Sequence, residues 1–451
     1  MVDRDIADLF SLDRDMGRTF AALEAFRETL ASNPTAAVDD PFEGVRHVAG
    51  KSTWDALGEL SPSRADVPLR DALRRWVSAF IQARLGLGTE REWALQAAAA
   101  RGRFAGDSPR LVSWREAWRG LTSSRNASEA QLWLDAAAQG GASLAAVARS
   151  RTIRRVEVAH RMGRDHPWDD LVQASPGALR EAAFLLLRET EDLAIASREE
   201  AQEGESPASA FFAAAAREAS SGWPARLTHT WLQEAFRGEP RDLVPPMGAL
   251  PRPTGAASFA RALYQFGFAV RLAVTPASLP FSLAREPAFV EAHRFACLFG
   301  ALSTDPEFQV RVLGLGKSTA RAQARVLART VLFEARSRAA RLLLGDDAAF
   351  APDDLYPELT VRLFGSPLDE RLQGAWPAAR DDEPARFIAM LQVTAFRREL
   401  RDRFDVDWFH NPRAWGYLRE QGGGPAREPL APDALATSPE GLARELEEAL
   451  G

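Results

Sequence analysis

Leu263-Tyr264-Gln265-Phe266-Gly267-Phe268-Ala269-Val270-Arg271 sits inside the longer run SFARALYQFGFAVRLA (258–273), and its reading decides the fold. The run is rich in alanine, leucine and aromatic residues, holds no proline, and reads as one apolar helix. Positions 264 and 268 are four apart and share a helix face, one turn above the other. As side chains alone, Tyr264, Phe266 and Phe268 are packing residues that fill space between helices. Arg261 and Arg271 are groove-lining charges or snorkelling surface side chains, and the residues leave both readings open.

Working outward, GEPRDLVPPMGALPRPTG (238–255) holds five prolines and three glycines, which exclude a regular helix there. It reads as the connection between an N-terminal helical lobe, 1–235, and a C-terminal helical lobe, 236–451. In the first lobe, LRDALRRWVSAFIQARLGLG (69–88) and TEREWALQAAAARGRF (89–104) read as two helical segments divided by a glycine-bearing turn. SEAQLWLDAAA, TIRRVEVAHRMG and SPGALREAAFLLLRETEDLAIASREEAQEG continue the helical pattern. In the second lobe come FVEAHRFACLFGAL, a long run from Ala320 to Leu344, and ARFIAMLQVTAFRRELRDRF. SPEGLARELEEALG reads as a short terminal helix introduced by Ser438 and Pro439. Strand-like alternation is scarce, so the expected class is mainly α.

The 451 residues, 46% of them hydrophobic, suffice for a sizeable core. A net charge of -6 gives no general attraction to nucleic acid or anionic lipid, so neither is expected as a partner. Cys297 is the one cysteine, which excludes an intrachain disulfide framework and a cysteine-based metal cluster. The start, MVDRDIADLFSLDRD, is acidic, and no run has the length to cross a bilayer. A soluble cytoplasmic protein is the expectation.

Several motifs dissolve on inspection. Gly50-Lys51-Ser52-Thr53 and Gly316-Lys317-Ser318-Thr319 share part of the pattern of a phosphate-binding loop, but the glycine needed five positions earlier is Val45 or Arg311. Both read as ordinary helix starts, with Ser318 or Thr319 as N-caps. The histidines His47, His160, His166, His229, His293 and His410 are too dispersed for a local metal signature. Cys297 lies in the apolar stretch Phe295 to Phe299 and reads as a small core hydrophobe. The acidic cluster Asp346, Asp347, Asp353, Asp354 lacks the spacing of a calcium loop.

In its order of residues, the 263–271 stretch resembles the active-site helix of zinc oligopeptidases of the thimet and oligoendopeptidase type, L-H-E-x-G-H-A-x-H. Leu263, Gly267 and Ala269 keep the frame. The resemblance puts Tyr264 and Phe268 at the two zinc-histidine positions and Gln265 at the general-base glutamate. Phenylalanine cannot coordinate zinc, and glutamine cannot take a water proton as a carboxylate does. The family's third ligand is a glutamate in a pattern like T-E-x-F-A-x-L-F. Ala292-His293-Arg294-Phe295-Ala296-Cys297-Leu298-Phe299 matches it, with His293 at the ligand position, 29 residues after Tyr264.

The resemblance extends over roughly residues 255 to 445. ARFIAMLQVTAFRRELRDRFDVDWFHNPRAWGYLREQG is similar to a later family segment, with Asp407, Trp408, Asn411, Pro412 and Ala414 in frame and Phe387 near a tyrosine position. The family is largely helical, its two halves enclosing a deep peptide channel with zinc on the floor and tyrosines or histidines that stabilise the tetrahedral intermediate. This chain has only Tyr264, Tyr356 and Tyr417.

The resemblance therefore implies an oligopeptidase-like helical fold, two lobes around a central channel, without metal, cofactor or catalytic residues: a non-catalytic protein that binds a peptide or a protein partner. Arg261, Arg271 and Phe387 are its candidate groove residues. The alternatives are an active zinc peptidase with a displaced site, built on His293 with Glu291 or Glu286, and a small-molecule enzyme reusing the cavity.

Overall fold

The computed structural model describes residues 2–61, 66–172, 174–198, 205–217, 223–224, 228–236, 256–347, 354–373, 382–424 and 432–451. The connection expected at 238–255 lies outside these residues, as does Asp353 of the acidic cluster. The chain begins with α1 (Val2–Ser32), α2 (Lys51–Glu59) and α3 (Val67–Ala99), then a hairpin of β1 (Arg101–Phe104) and β2 (Arg110–Ser113). α4 (Trp114–Ser123), α5 (Ala127–Arg161), α6 (Pro176–Glu189), α7 (Glu191–Ala196), α8 (Pro207–Arg217) and α9 (His229–Ala235) follow. The second half runs through α10 (Ala256–Val274), the single turn α11 (Phe281–Ala284), α12 (Val290–Ala301), α13 (Pro306–Leu313) and α14 (Lys317–Asp347). It ends with α15 (Leu355–Phe364), α16 (Glu383–Phe404), α17 (Pro412–Gly422) and α18 (Pro432–Leu450).

Local chemistry accounts for many boundaries. Asn126 caps α5 by accepting from the Glu129 amide, and Ser113 caps α4 through Glu116. Asp305 and Asn411 cap α13 and α17, each followed by proline at the first helical position, and Gly314 closes α13 in the left-handed conformation at φ 67°.

Four sequence expectations need correction. The turn expected at Gly86 and Gly88 is absent, and α3 runs through both. Two interior glycines cost about 1 kcal/mol each, which the buried face of Leu69, Leu73, Trp76, Val77 and Phe80 outweighs. Arg101–Phe104, expected to end a helix, instead pairs antiparallel with Arg110–Ser113, Arg101 opposite Ser113. Neither Ser318 nor Thr319 is an N-cap: α14 begins at Lys317, and the Ala320 amide donates to the Gly316 carbonyl. The terminal helix does not begin at Ser438 but at Pro432, with Pro439 inside it. Leu435, Leu442 and Leu446, buried on either side of that proline, hold the helix together across the lost hydrogen bond.

The largest apolar cluster joins α4, α5, α6 and α8 to α14, α15, α16 and α18, so it crosses the 235/236 division. A second cluster, with Phe266, Phe295, Phe299, Trp408 and Trp415, surrounds α10 and α12. A third lies between α1 and α3. Asp13 of α1 ties that third cluster to the second half, accepting from the Phe281 and Ser282 amides at 2.8 Å and from the Ser282 hydroxyl at 2.6 Å. Among the described residues no helix is long and apolar enough to cross a membrane.

Candidate functional site

α10 and α12 cross closely because Gly267 faces α12. A Cβ there would overlap the Phe295 carbonyl oxygen and lie 2.9 Å from Phe299 Cβ. This approach brings Tyr264 and Phe268, one turn apart on α10, against His293 on α12. Phe289, just before α12, takes a left-handed backbone at φ 56°, which is strained for a residue with a Cβ. Its ring centroid lies 5.6 Å from that of Phe268, the two rings tilted by 44°, and the Phe268 ring lies 5.2 Å from His293.

The polar groups form a closed chain. The Tyr264 hydroxyl lies 2.7 Å from His293 Nδ1, and His293 Nε2 lies 3.3 Å from Asp382 Oδ2. Arg386 Nε donates to the same Asp382 oxygen at 2.7 Å. With Nε2–H donated to the carboxylate, Nδ1 is the acceptor for the tyrosine proton, so both ring nitrogens are used. Arg338 of α14 covers the Tyr264 ring at 5.4 Å and donates to the Arg386 carbonyl at 3.1 Å.

Burial lowers His293 to about 4, against the raising effect of its Asp382 hydrogen bond, so the imidazole is neutral at pH 7. Burial pushes the Tyr264 phenol up to about 12, so its proton stays on. Burial by itself would raise Asp382, but the His293 hydrogen bond and the Arg386 charge outweigh it and hold the carboxyl below the usual range. Burial likewise raises the Cys297 thiol. The cluster is thus one carboxylate and two guanidiniums around a neutral tyrosine–histidine pair.

Gln265, at the general-base position, has its Oε1 buried and receives no hydrogen bond from any described residue. The three groove candidates part company. Arg261 is exposed, and Arg271 is buried, its guanidinium bonded to the Thr275 hydroxyl and near the charges of Glu286 and Glu291. Phe387 is fully buried in the largest apolar cluster and so lines no groove. Successive helix residues turn by about 100°. Asp382 and Arg386 therefore face α12 while Phe387 turns into the core. The displaced metal set does not converge: Glu291 is taken by Arg294 at 2.6 Å, and Glu286 Oε2 accepts from the Glu291 amide at 3.3 Å. Burial, with the Glu291 charge, raises Glu286.

A cavity of about 620 Å³ adjoins the site, between α1, α3, α4 and α5 on one side and residues 287–289 with Asp382 on the other. Phe289 and Asp382 therefore face the cavity and also contact the Phe268–His293 pair. Trp76, Trp93, Arg115, Arg151 and Arg155 belong to the opposite walls. Sequence reasoning missed all of them. The one local signal was the four-residue spacing of Arg151 and Arg155, which places them on one face of α5.

The zinc implied by the resemblance does not fit these residues. A structural or catalytic zinc needs at least three nitrogen, sulfur or oxygen donors with open lone pairs. Phe268 offers none, Tyr264 keeps its proton, and His293 spends both nitrogens. Among the described residues no group of three His, Cys, Asp or Glu is gathered to hold a metal ion.

No protein-family model and no curated protein matches the chain. Among solved structures it is similar to a protein described as an oligoendopeptidase F from Bacillus anthracis str. Ames, at TM-score 0.55 and 10% identity, over 95% of this chain and 85% of that one. At that identity the likeness concerns the fold, and it establishes a large, almost entirely α-helical molecule of oligoendopeptidase-like architecture.

Proposed function

We propose that the chain is a degenerate, non-catalytic relative of the thimet and oligoendopeptidase type, a soluble cytoplasmic protein whose retained cavity binds a peptide. The observation that carries this reading is the hydrogen-bond chain Tyr264–His293–Asp382–Arg386, in which Tyr264 and His293 stand at two of the positions where the family pattern has its metal ligands. Two guanidiniums, Arg338 and Arg386, supply positive charge around the cluster, and Phe268 with Phe289 fills the space beside it. The one carboxylate of the cluster, Asp382, is bonded to both His293 and Arg386. The cavity beside it, at about 620 Å³, lies within the size range of sites that bury a small ligand or part of a peptide.

The test joins metal content to cleavage and binding. Purified protein, dialysed and then analysed by inductively coupled plasma mass spectrometry, is expected to hold far less than one zinc per chain. It is expected to leave a fluorogenic peptide library uncut while binding members of it by anisotropy. Stoichiometric zinc, with chelator-sensitive cleavage abolished by Gln265→Ala, overturns the reading.

A further inference from the structure

Gly86 lies in the interior of α3 and lines the cavity, and a Cβ built on it meets nothing within 4 Å. Its backbone is helical, so no left-handed turn demands a glycine, and no neighbouring atom is close enough to exclude a side chain. Glycine weakens a helix interior relative to almost any other residue. What it contributes here is room, since the bare backbone of α3 is open to close approach by another chain.

The polar side chains of the lining are engaged within the fold. Arg27 pairs with Glu24 at 3.3 Å and with Glu90 at 3.2 Å, and Asp382 is bonded to His293 and Arg386. The Gln82 amide donates to the Pro167 carbonyl, Arg115 Nη1 reaches the Ala31 carbonyl at 3.5 Å, and Arg151 and Arg155 have interactions of their own. A charged ligand group entering this space gives up its water and has to compete with those bonds for a counter-charge. An uncharged group meets no such cost. It finds ring surface instead: Phe20, Trp93 and Phe289 line the cavity and are only half-buried, and Trp76 and Phe80 of α3 line it as well. Rings of this kind favour a further ring in tilted or edge-on contact.

We infer that the cavity takes an uncharged aromatic side chain of a peptide, set among Phe20, Trp93 and Phe289, with the peptide backbone crossing α3 at Gly86. This rests on the peptide-binding reading above and adds to it which side chain is selected and where the peptide meets the wall.

The experiment uses four fluorescein-labelled short peptides of one Gly/Ser sequence with Phe, Ala, Glu or Lys at the centre, titrated with the full chain by anisotropy. The Phe peptide is expected to bind about thirtyfold more tightly than the Ala peptide, the worth of burying one large apolar side chain. The Glu and Lys peptides are expected to bind no better than the Ala peptide. Gly86→Leu fills the space and is expected to weaken the Phe peptide by about tenfold or more, with the thermal midpoint at or above that of the wild type. Gly88→Leu is the matched control: Gly88 is exposed on the same helix, outside the lining, and a Cβ there also meets nothing. Its affinity for the Phe peptide is expected to equal that of the wild type. If Gly86→Leu melts early, Trp93→Ala is expected to weaken the Phe peptide and leave the Ala peptide unchanged. Equal affinity for all four peptides overturns the aromatic selection and leaves peptide binding standing. Absence of binding by all four overturns both. Equal losses in Gly86→Leu and Gly88→Leu overturn the placing of the peptide at Gly86. Displacement of the Phe peptide by free N-acetylphenylalaninamide at matching affinity assigns the site to small aromatic compounds and overturns the peptide proposal.

Discussion

Acidification tests the chemistry of the site through His293. The imidazole is 3% exposed, and its folded value of about 4 lies below the ordinary 6.5. The unfolded chain therefore takes up this proton first as the pH falls. The contribution of His293 to stability is complete above about pH 6.5, is lost progressively down to about pH 4, and is then constant. At about pH 5 the unfolded state is favoured by a factor of roughly (1 + 10^1.5)/(1 + 10^-1), about 30, which is about 2 kcal/mol. His293→Gln keeps an acceptor for Tyr264 and a donor for Asp382 but does not titrate. Urea unfolding of both proteins between about pH 7.5 and about pH 5 should show the wild type losing about 2 kcal/mol more than the variant. Glu286, raised by burial, works in the opposite sense in both proteins and cancels in the comparison. Parallel stability curves for the two proteins refute the argument, as does a His293 ring resonance that titrates near 6.5, identified by its loss in the variant.

Gly267→Ala would gain helix propensity of about 1 kcal/mol in open solvent. Here the added carbon overlaps the Phe295 carbonyl, so a net loss of about 1–3 kcal/mol is expected in thermal unfolding. Asp13→Ala removes the acceptor of three donors from Phe281 and Ser282, two of them main-chain amides. A loss of roughly 2–4 kcal/mol is expected by urea denaturation, with Asp13→Asn recovering part of it. Cys297 is half-buried between two apolar clusters with its thiol raised by burial, and it is expected to label with a thiol-reactive dye more slowly in the native protein than in denaturant. Rapid native labelling would show that the Tyr264–Cys297 region opens.

The helical class was legible because apolar spacing acts locally. The caps themselves were not: Asn126, Asp305 and Asn411 cap helices that the sequence reading left without a named cap, while the cap expected at Ser318 or Thr319 is absent. The frame around Tyr264, Gln265 and Phe268 and the 29-residue interval to His293 were legible too, and the structure places Tyr264, Phe268 and His293 in contact. The glycines of α3 misled because burial of the far end of that helix outweighs their local cost. The hairpin was missed because its strands are four residues each, too short for alternation to declare itself.

Sequence by itself determined the mainly helical class, side chains at 265 and 268 that cannot serve as base or zinc ligand, and the distance along the chain from Tyr264 to His293. Tertiary structure decided what surrounds these residues. Asp382 and Arg386 reach His293 only because α16 packs on α12 with that face turned inward, and Phe387, one residue on, points into the core. The cavity walls come from α1, α3, α4 and α5, whose mutual placement depends on contacts between residues far apart in the chain. Helical periodicity states which side chains share a face, whereas the partner of that face is set by the packing of the whole core.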